Sequence, residues 1–365
     1  MKTPGAFHFE DVLPETKAVY GLTVDSVGDM EGMEDEVLLN LCRLATRESI
    51  RAEMAERLRE GNLSLPVLVA RGAEPGQTLV VTAGVHGDEY EGIEAIYRIF
   101  DSLDVRRMRG GFMAVPVGNL SGFWQGVRSS PLDSLNPARV FPGSPDGSAT
   151  ERLAWELLQR VLRHASLYID LHSAGRNYHM LTLCGYCTAG SQAVVAEQAA
   201  RASGMPVVWA HPSVSPGRTI SATLDLGIPS LYTEAYGGGH ARAEEIADYT
   251  RCLANLLAFM GIADIPTPAP SDRETLFLSG SGDLDFAVNC SRGGFFVPRA
   301  ALGEHLAKGR TLGIIRDLSG KVVEEIVSPE DGFVVIIRAT PVVFGGEFIA
   351  ALSEKLETLA SVGKS

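Results

Sequence analysis

Leu79–Ile93 reads LVVTAGVHGDEYEGI, and the reading of this stretch decides the fold. From Leu79 to Val85 the run is almost unbroken apolar and bounded by small residues, the pattern of a strand buried on both faces of a parallel sheet. Beyond it Ile93, Ile96, Tyr97 and Phe100 recur at spacings of three and four, which predicts a helix. His86, Gly87, Asp88 and Glu89 therefore occupy the turn between strand and helix. His86 and Glu89 stand three apart there, where an imidazole and a carboxylate can converge on one point, as zinc ligands must. By themselves the two also read as a capping histidine and a solvated glutamate at a helix start.

A second apolar strand, Ser166 to Leu171 (SLYIDL), ends in His172 and a turn-forming Ser173-Ala174-Gly175. Ligands of open α/β sheets gather at the carboxyl ends of strands, so two histidines that each close a buried strand can meet although they are distant in sequence. His172 completes a His/Glu/His set, and three protein ligands leave the fourth position of a tetrahedral zinc open for water. Asp170 shares a face with His172 by strand alternation and reads as its supporting partner or as a structural hydrogen bond. At a further strand end, Ile228 to Tyr232 leads into Thr233 and Glu234 before Gly237-Gly238-Gly239. Glu234 is placed to take a proton from zinc-bound water, or is simply an exposed glutamate at a loop start.

HGDE at 86–89, NLSGFWQGVRSSPLDSLNPARVFPG at 119–143, DLHSAG at 170–175 and LYTEAYGGG at 231–239 together resemble the succinylglutamate desuccinylase/aspartoacylase family. These are zinc-dependent deacylases related to the metallocarboxypeptidases, and the likeness runs in order from about Leu65 to Ala350. It implies one zinc per chain on His86, Glu89 and His172, Glu234 as general base, and Arg128 and Arg139 facing the substrate. One position departs from the pattern. The family usually has an asparagine directly before the arginine matched by Arg139, and this chain has Ala138 there. Asn136 is near, but Pro137 restricts its backbone, so its amide is not expected to take the same place.

The long segment from Asn119 to Pro145 implies a functional role, since compact domains rarely keep such a loop without one. Within it Arg128 and Arg139 are suited to bidentate binding of a substrate carboxylate, or else form surface ion pairs with Asp133 or Asp146. Asn136 and Arg218, the latter in the SPGR turn, join Arg139 as candidate substrate contacts. Arg128 is also the candidate for stabilising the tetrahedral oxyanion.

The chain has 365 residues, 45% of them apolar, enough for a sizeable core and a second, smaller unit. Its 32 basic and 45 acidic residues give a net charge of -13, which argues against nucleic acid and anionic membranes as partners. An anionic substrate needs a locally positive pocket within that field. No apolar run approaches the roughly 18 residues of a membrane span, the first residues lack a signal-peptide core, and five sparse cysteines suit a reducing compartment. A cytoplasmic location is expected. The CGYC at 184–187 is followed by Thr188-Ala189-Gly190 rather than by a helix, and reads as strand-end packing rather than a redox pair.

The alternation of strands and helices predicts an α/β fold, a doubly wound mixed sheet of the zinc-carboxypeptidase type, over 1–264, with 1–63 as an N-terminal extension that includes a helix from Glu34 to Arg59. The proline-rich IPTPAP at 265–270 reads as a linker. After it FFVP, TLGIIRD, GKVVEEIV, GFVVIIRA and EFIAAL predict a C-terminal all-β domain over 271–365, similar to the barrel-sandwich common in the resembled family. A carrier role would need a lysine at a hairpin tip, and SPEDGF at 328–333 has none, so the domain is read as a wall beside the site or a dimer contact in a homo-oligomer. The functional expectation is zinc-dependent removal of an acyl group from an N-acyl amino acid or related small amide. The alternatives are a zinc carboxypeptidase on short peptides and a catalytically silent small-molecule-binding protein.

Overall fold

Residues 74–83 form the strand on which the sheet is built, and Leu79, Val80, Val81 and Ala83 on it are fully buried, as a strand covered on both faces requires. The computed structural model describes residues 9–23, 31–32, 46–59, 64–266, 274–281 and 288–355. Its main elements run β1 (Thr16–Thr23), α1 (Arg47–Arg59), β2 (Ser64–Arg71), β3 (Glu74–Ala83), α2 (Glu91–Ser102) and β4 (Arg109–Val115). They continue with α3 (Ala149–Arg160), β5 (Leu167–Leu171), β6 (Leu183–Cys187), α4 (Ala193–Ala202), β7 (Val207–His211), β8 (Ser230–Glu234) and α5 (Ala243–Phe259). After the linker come β9 (Leu276–Ser279), β10 (Gly332–Arg338) and β11 (Phe348–Lys355).

The sheet order is β10-β11-β9-β7-β6-β8-β5-β3-β4-β2-β1. At its centre β8, β5, β3 and β4 are parallel, whereas β2 and β1 add antiparallel strands on one side and β6 is antiparallel to β8 on the other. This is a mixed α/β sheet, as the alternation of segments implies. α2 packs against α5, placing Ile96, Ile99, Leu253 and Leu256 in one continuous core with the strands. A capping box between Ser148 and Glu151 starts α3. Its N-terminus also receives Asp133, whose carboxylate accepts from the Thr150 backbone N–H at 2.8 Å and hydroxyl at 2.7 Å. Asp133 thus braces the long loop against a helix rather than pairing with an arginine. The loop is itself structured, with a short helix Leu120–Gln125 capped by Asn119 and a 3-10 turn Pro137–Arg139.

Beyond the linker the chain forms antiparallel strands with a core of their own, including Leu312, Ile315, Ile326, Val334 and Ile349. It does not stand apart from the catalytic sheet. β9 pairs in parallel with β7, β11 pairs with β9, and β10 pairs with the short strand Tyr178–Met180. This non-local pairing is invisible in the texture of the sequence. The N-terminal helix is described only from Arg47, with Ile50 and Met54 buried, while the part expected over 34–45 lies outside the described residues. Among the described residues no helix is long and apolar enough to cross a membrane.

A chain cut after Pro266 would open the β7 edge and uncover Trp209, which packs with Leu278, Val335 and Ile336. Such an edge is a template for association. The truncated protein is expected to be insoluble or aggregated in size-exclusion chromatography, and a monodisperse soluble product would show that this pairing is dispensable.

Candidate active site

β3, β5 and β8 are neighbours running the same way, and Leu171 is in register with Ala83 on one side and Thr233 on the other. His172, Glu234 and the turn carrying His86 and Glu89 therefore emerge at one level of the sheet, at its carboxyl edge. The turn and α2 lie close against β5 because position 92 lacks a side chain: a Cβ on Gly92 would sit 2.6 Å from that of Leu171.

The Glu89 carboxylate lies between two imidazoles, with Oε1 2.8 Å from His86 Nδ1 and Oε2 2.8 Å from His172 Nδ1. Each outer nitrogen meets an oxygen. Asp170 Oδ2 is 2.9 Å from His172 Nε2, and Asn136 Oδ1 is 3.0 Å from His86 Nε2. The Ala138 N–H donates to the same Asn136 oxygen at 2.9 Å, which fixes the amide orientation. An acceptor opposite Nε2 draws the ring proton there and leaves the Nδ1 lone pair pointing inward. Lone pairs then face carboxylate oxygens at hydrogen-bond distance, an arrangement that only a shared proton or a cation stabilises. The ligand atoms of His86, Glu89 and His172 all lie within 4.8 Å of one another. Two imidazoles and a carboxylate are the donor set of an open zinc site, and these residues fit that metal.

Charge is distributed unevenly over the cluster. Burial disfavours ionisation of Glu89, yet the two imidazoles hold its carboxyl well below the usual carboxylate range. Burial and the Arg128 guanidinium push His86 down to about 4. For His172, burial is outweighed by the carboxylates of Asp170 and Glu89, which raise it well above its ordinary value. The contrast follows from the charges nearest each ring, the Asp170 carboxylate behind His172 and the Arg128 guanidinium near His86. Asp170 is itself held by the Thr82 hydroxyl at 2.6 Å and by the Thr219 hydroxyl.

His86, His172 and Glu234 line a cleft of about 280 Å³ together with Arg128, Arg139 and Arg218. Glu234 Oε2 is buried without a hydrogen-bond partner among the described residues, and burial pushes the carboxyl up to about 8. Arg128 donates from Nη1 to Glu89 Oε1 at 2.9 Å, while its side chain remains 43% exposed. Arg139 donates to the Ala138 carbonyl at 3.0 Å. Three guanidiniums thus make the cleft locally positive within a chain of net charge -13. Asn136 turns its carbonyl end to His86 and is not among the residues that line the cleft. Buried Ala138 lines the cleft where the resembled pattern has an asparagine. The sequence reading passed over His211 and Tyr232, which also line the cleft. His211 closes an apolar strand just as His172 does, and that signal was available.

A sequence profile for the succinylglutamate desuccinylase/aspartoacylase catalytic domain matches residues 75–260. The chain belongs to this family. It is 29% identical over 304 residues to the N-alpha-acetyl-L-2,4-diaminobutyric acid deacetylase of Halomonas elongata, covering 82% of this chain and 88% of that one. Its fold is similar to the product-bound ectoine utilization protein EutE of Ruegeria pomeroyi, at 28% identity and a TM-score of 0.74 over 80% of this chain and 90% of that one. A succinylglutamate desuccinylase/aspartoacylase from Rhodobacter sphaeroides gives 28% identity and a TM-score of 0.74, over 81% and 91% of the two chains. Members of this family are deacylases, and the mixed sheet with its C-terminal antiparallel region is the fold of these structures.

Asp170→Asn keeps the shape of the contact to His172 but removes its charge. It is expected to weaken zinc binding 10- to 100-fold, the usual cost of losing such a partner, in a competitive titration against a chromophoric chelator. Unchanged affinity would mean that Asp170 serves only the strand packing.

Proposed function

We propose that this protein is a zinc-dependent hydrolase that removes an acyl group from an N-acyl amino acid or a closely related small amide. The observation that carries the reading is the convergence of His86 Nδ1, Glu89 and His172 Nδ1 at the edge of a cleft that also holds Glu234. A zinc ion held by these three residues would polarise the amide carbonyl and lower the pKa of water towards ~7. Glu234 takes the proton of the attacking water and passes it to the leaving amine, a task suited to a carboxyl that burial pushes up to about 8. Arg128, beside Glu89, is within reach of an oxygen held at the same point and donates to the developing oxyanion. Arg139 and Arg218 receive the substrate carboxylate, Arg139 without the amide that Ala138 lacks. Ser281, beyond the linker, lines the cleft, which supports a small substrate over a peptide.

A screen of N-acetyl, N-succinyl and N-formyl amino acids beside short peptides, read by release of free amine, separates the deacylase from the carboxypeptidase reading. Glu234→Gln is expected to retain zinc and fold while turnover falls ~100-fold or more, the scale of lost acid-base help. Near-normal turnover in that variant would place the base elsewhere. Arg139→Ala is expected to cost ~2 kcal/mol in transition-state binding for carboxylate substrates and little for their amides. Equal handling of acid and amide by the unaltered enzyme would remove the carboxylate from the substrate class.

A further inference from the structure

The cleft contains a second polar device that the deacylation steps leave unused. Tyr232 precedes Glu234 by two residues on β8, so both side chains leave the same face of the sheet. Across the intervening strand β6, Tyr232 is paired with Gly185, and Gly185 in turn with Trp209 of β7. A Cβ on Gly185 would fall 1.9 Å from the tyrosine ring. The ring therefore lies flat over a position that admits no side chain, and its hydroxyl reaches His211 Nε2 at 2.7 Å. On the other side, His211 Nδ1 is 2.9 Å from the Gly280 carbonyl, with the Ser281 carbonyl also close.

These contacts have a direction. Backbone carbonyls only accept, so His211 Nδ1 carries the proton and donates to them. Burial pushes His211 down to about 4, so near neutral pH the ring is uncharged and Nε2 offers a lone pair. The Tyr232 hydroxyl, kept protonated by burial, donates to that nitrogen. Its oxygen then has only lone pairs to present to the cleft. The three guanidiniums that line the same cleft, Arg128, Arg139 and Arg218, can only donate, so Tyr232 offers an acceptor that they do not. The Tyr232 hydroxyl is itself uncharged, so a permanent ammonium seated on it would give up its hydration for a neutral partner, a cost that an uncharged donor largely escapes.

We infer that Tyr232, held in place by His211, is a specificity-determining residue that accepts a hydrogen bond from an uncharged O–H or N–H group on the substrate. Resting on the deacylase reading, this narrows the substrates to N-acyl amino acids whose side chain carries a hydroxyl or a carboxamide. His211 acts through Tyr232 and is a positioning residue. Because Gly280 lies beyond the linker, the C-terminal segment takes part in setting the preference.

The test compares kcat/KM for isosteric pairs, N-acetyl-serine with N-acetyl-2-aminobutyrate and N-acetyl-homoserine with N-acetyl-norvaline, with N-acetyl-2,4-diaminobutyrate as the cationic probe. The unaltered zinc enzyme is expected to favour the hydroxyl member of at least one pair ~10-fold or more, the effect of one hydrogen bond to a site built for it. Tyr232→Phe retains the ring over Gly185 and is expected to bring that ratio to about 1 by lowering kcat/KM on the hydroxyl member more than on the methyl member. A preference that survives in Tyr232→Phe, an equal loss on both members, or a ratio near 1 in the unaltered enzyme would overturn the inference. So would a clear lead for the ammonium-bearing probe. Failure of the unaltered enzyme to hydrolyse any N-acyl amino acid would instead remove the deacylase reading, and this inference with it.

Discussion

One carboxylate wedged between two imidazoles sets the terms for the rest of the structure. Glu89 meets both Nδ1 atoms at 2.8 Å only because three parallel strands end at one level, with Leu171 in register with Ala83 and Thr233. A one-residue slip of β5 would turn His172 to the other face and dismantle the cluster. The outer partners are just as constrained. Asp170 is pinned by Thr82 and Thr219, and Asn136 by the Ala138 N–H, so both rings are held with Nε2 towards an oxygen and Nδ1 towards Glu89. Fixing the rings before a cation arrives means that little orientation remains to be lost on binding.

Much of this was legible in the sequence because it depends on local pattern. An apolar run that ends in a polar residue and a glycine turn marks both a buried strand and the place where its chemistry emerges, and 79–89, 166–175 and 228–239 share that form. The CGYC pair reads correctly for the same reason. Cys184 and Cys187 are buried in β6, and burial pushes the Cys184 thiol up to about 12, far from a reactive thiolate. What escaped the sequence depends on contacts between distant segments. The role of Asn136 follows from how the Pro137–Arg139 turn is folded over His86, and spacing does not encode that. Pairing of β9 with β7 joins segments with some sixty residues between them, and the Pro-rich linker hides it by suggesting a clean break. His211 carried the same local signal as His172, but it lies two strands beyond β8, outside the set that converges on Glu89.

The asymmetry between the two histidines bears on how the site treats charge. Asp170 places a full negative charge behind His172, whereas His86 has only a neutral amide behind it and the Arg128 guanidinium nearby, and the rings diverge accordingly in proton affinity. The three side chains proposed to hold the metal themselves supply one formal negative charge, from Glu89. A divalent cation held by them would leave the centre net positive, and Arg128 at 2.9 Å from Glu89 adds to that field. Glu234, whose carboxyl is pushed up to about 8 chiefly by burial, would then be drawn back towards its ionised form, because an opposite charge nearby favours the anion. Burial and a cation would therefore act on Glu234 in opposite directions, and the role proposed for it, accepting a proton and then releasing it, needs both forms within reach.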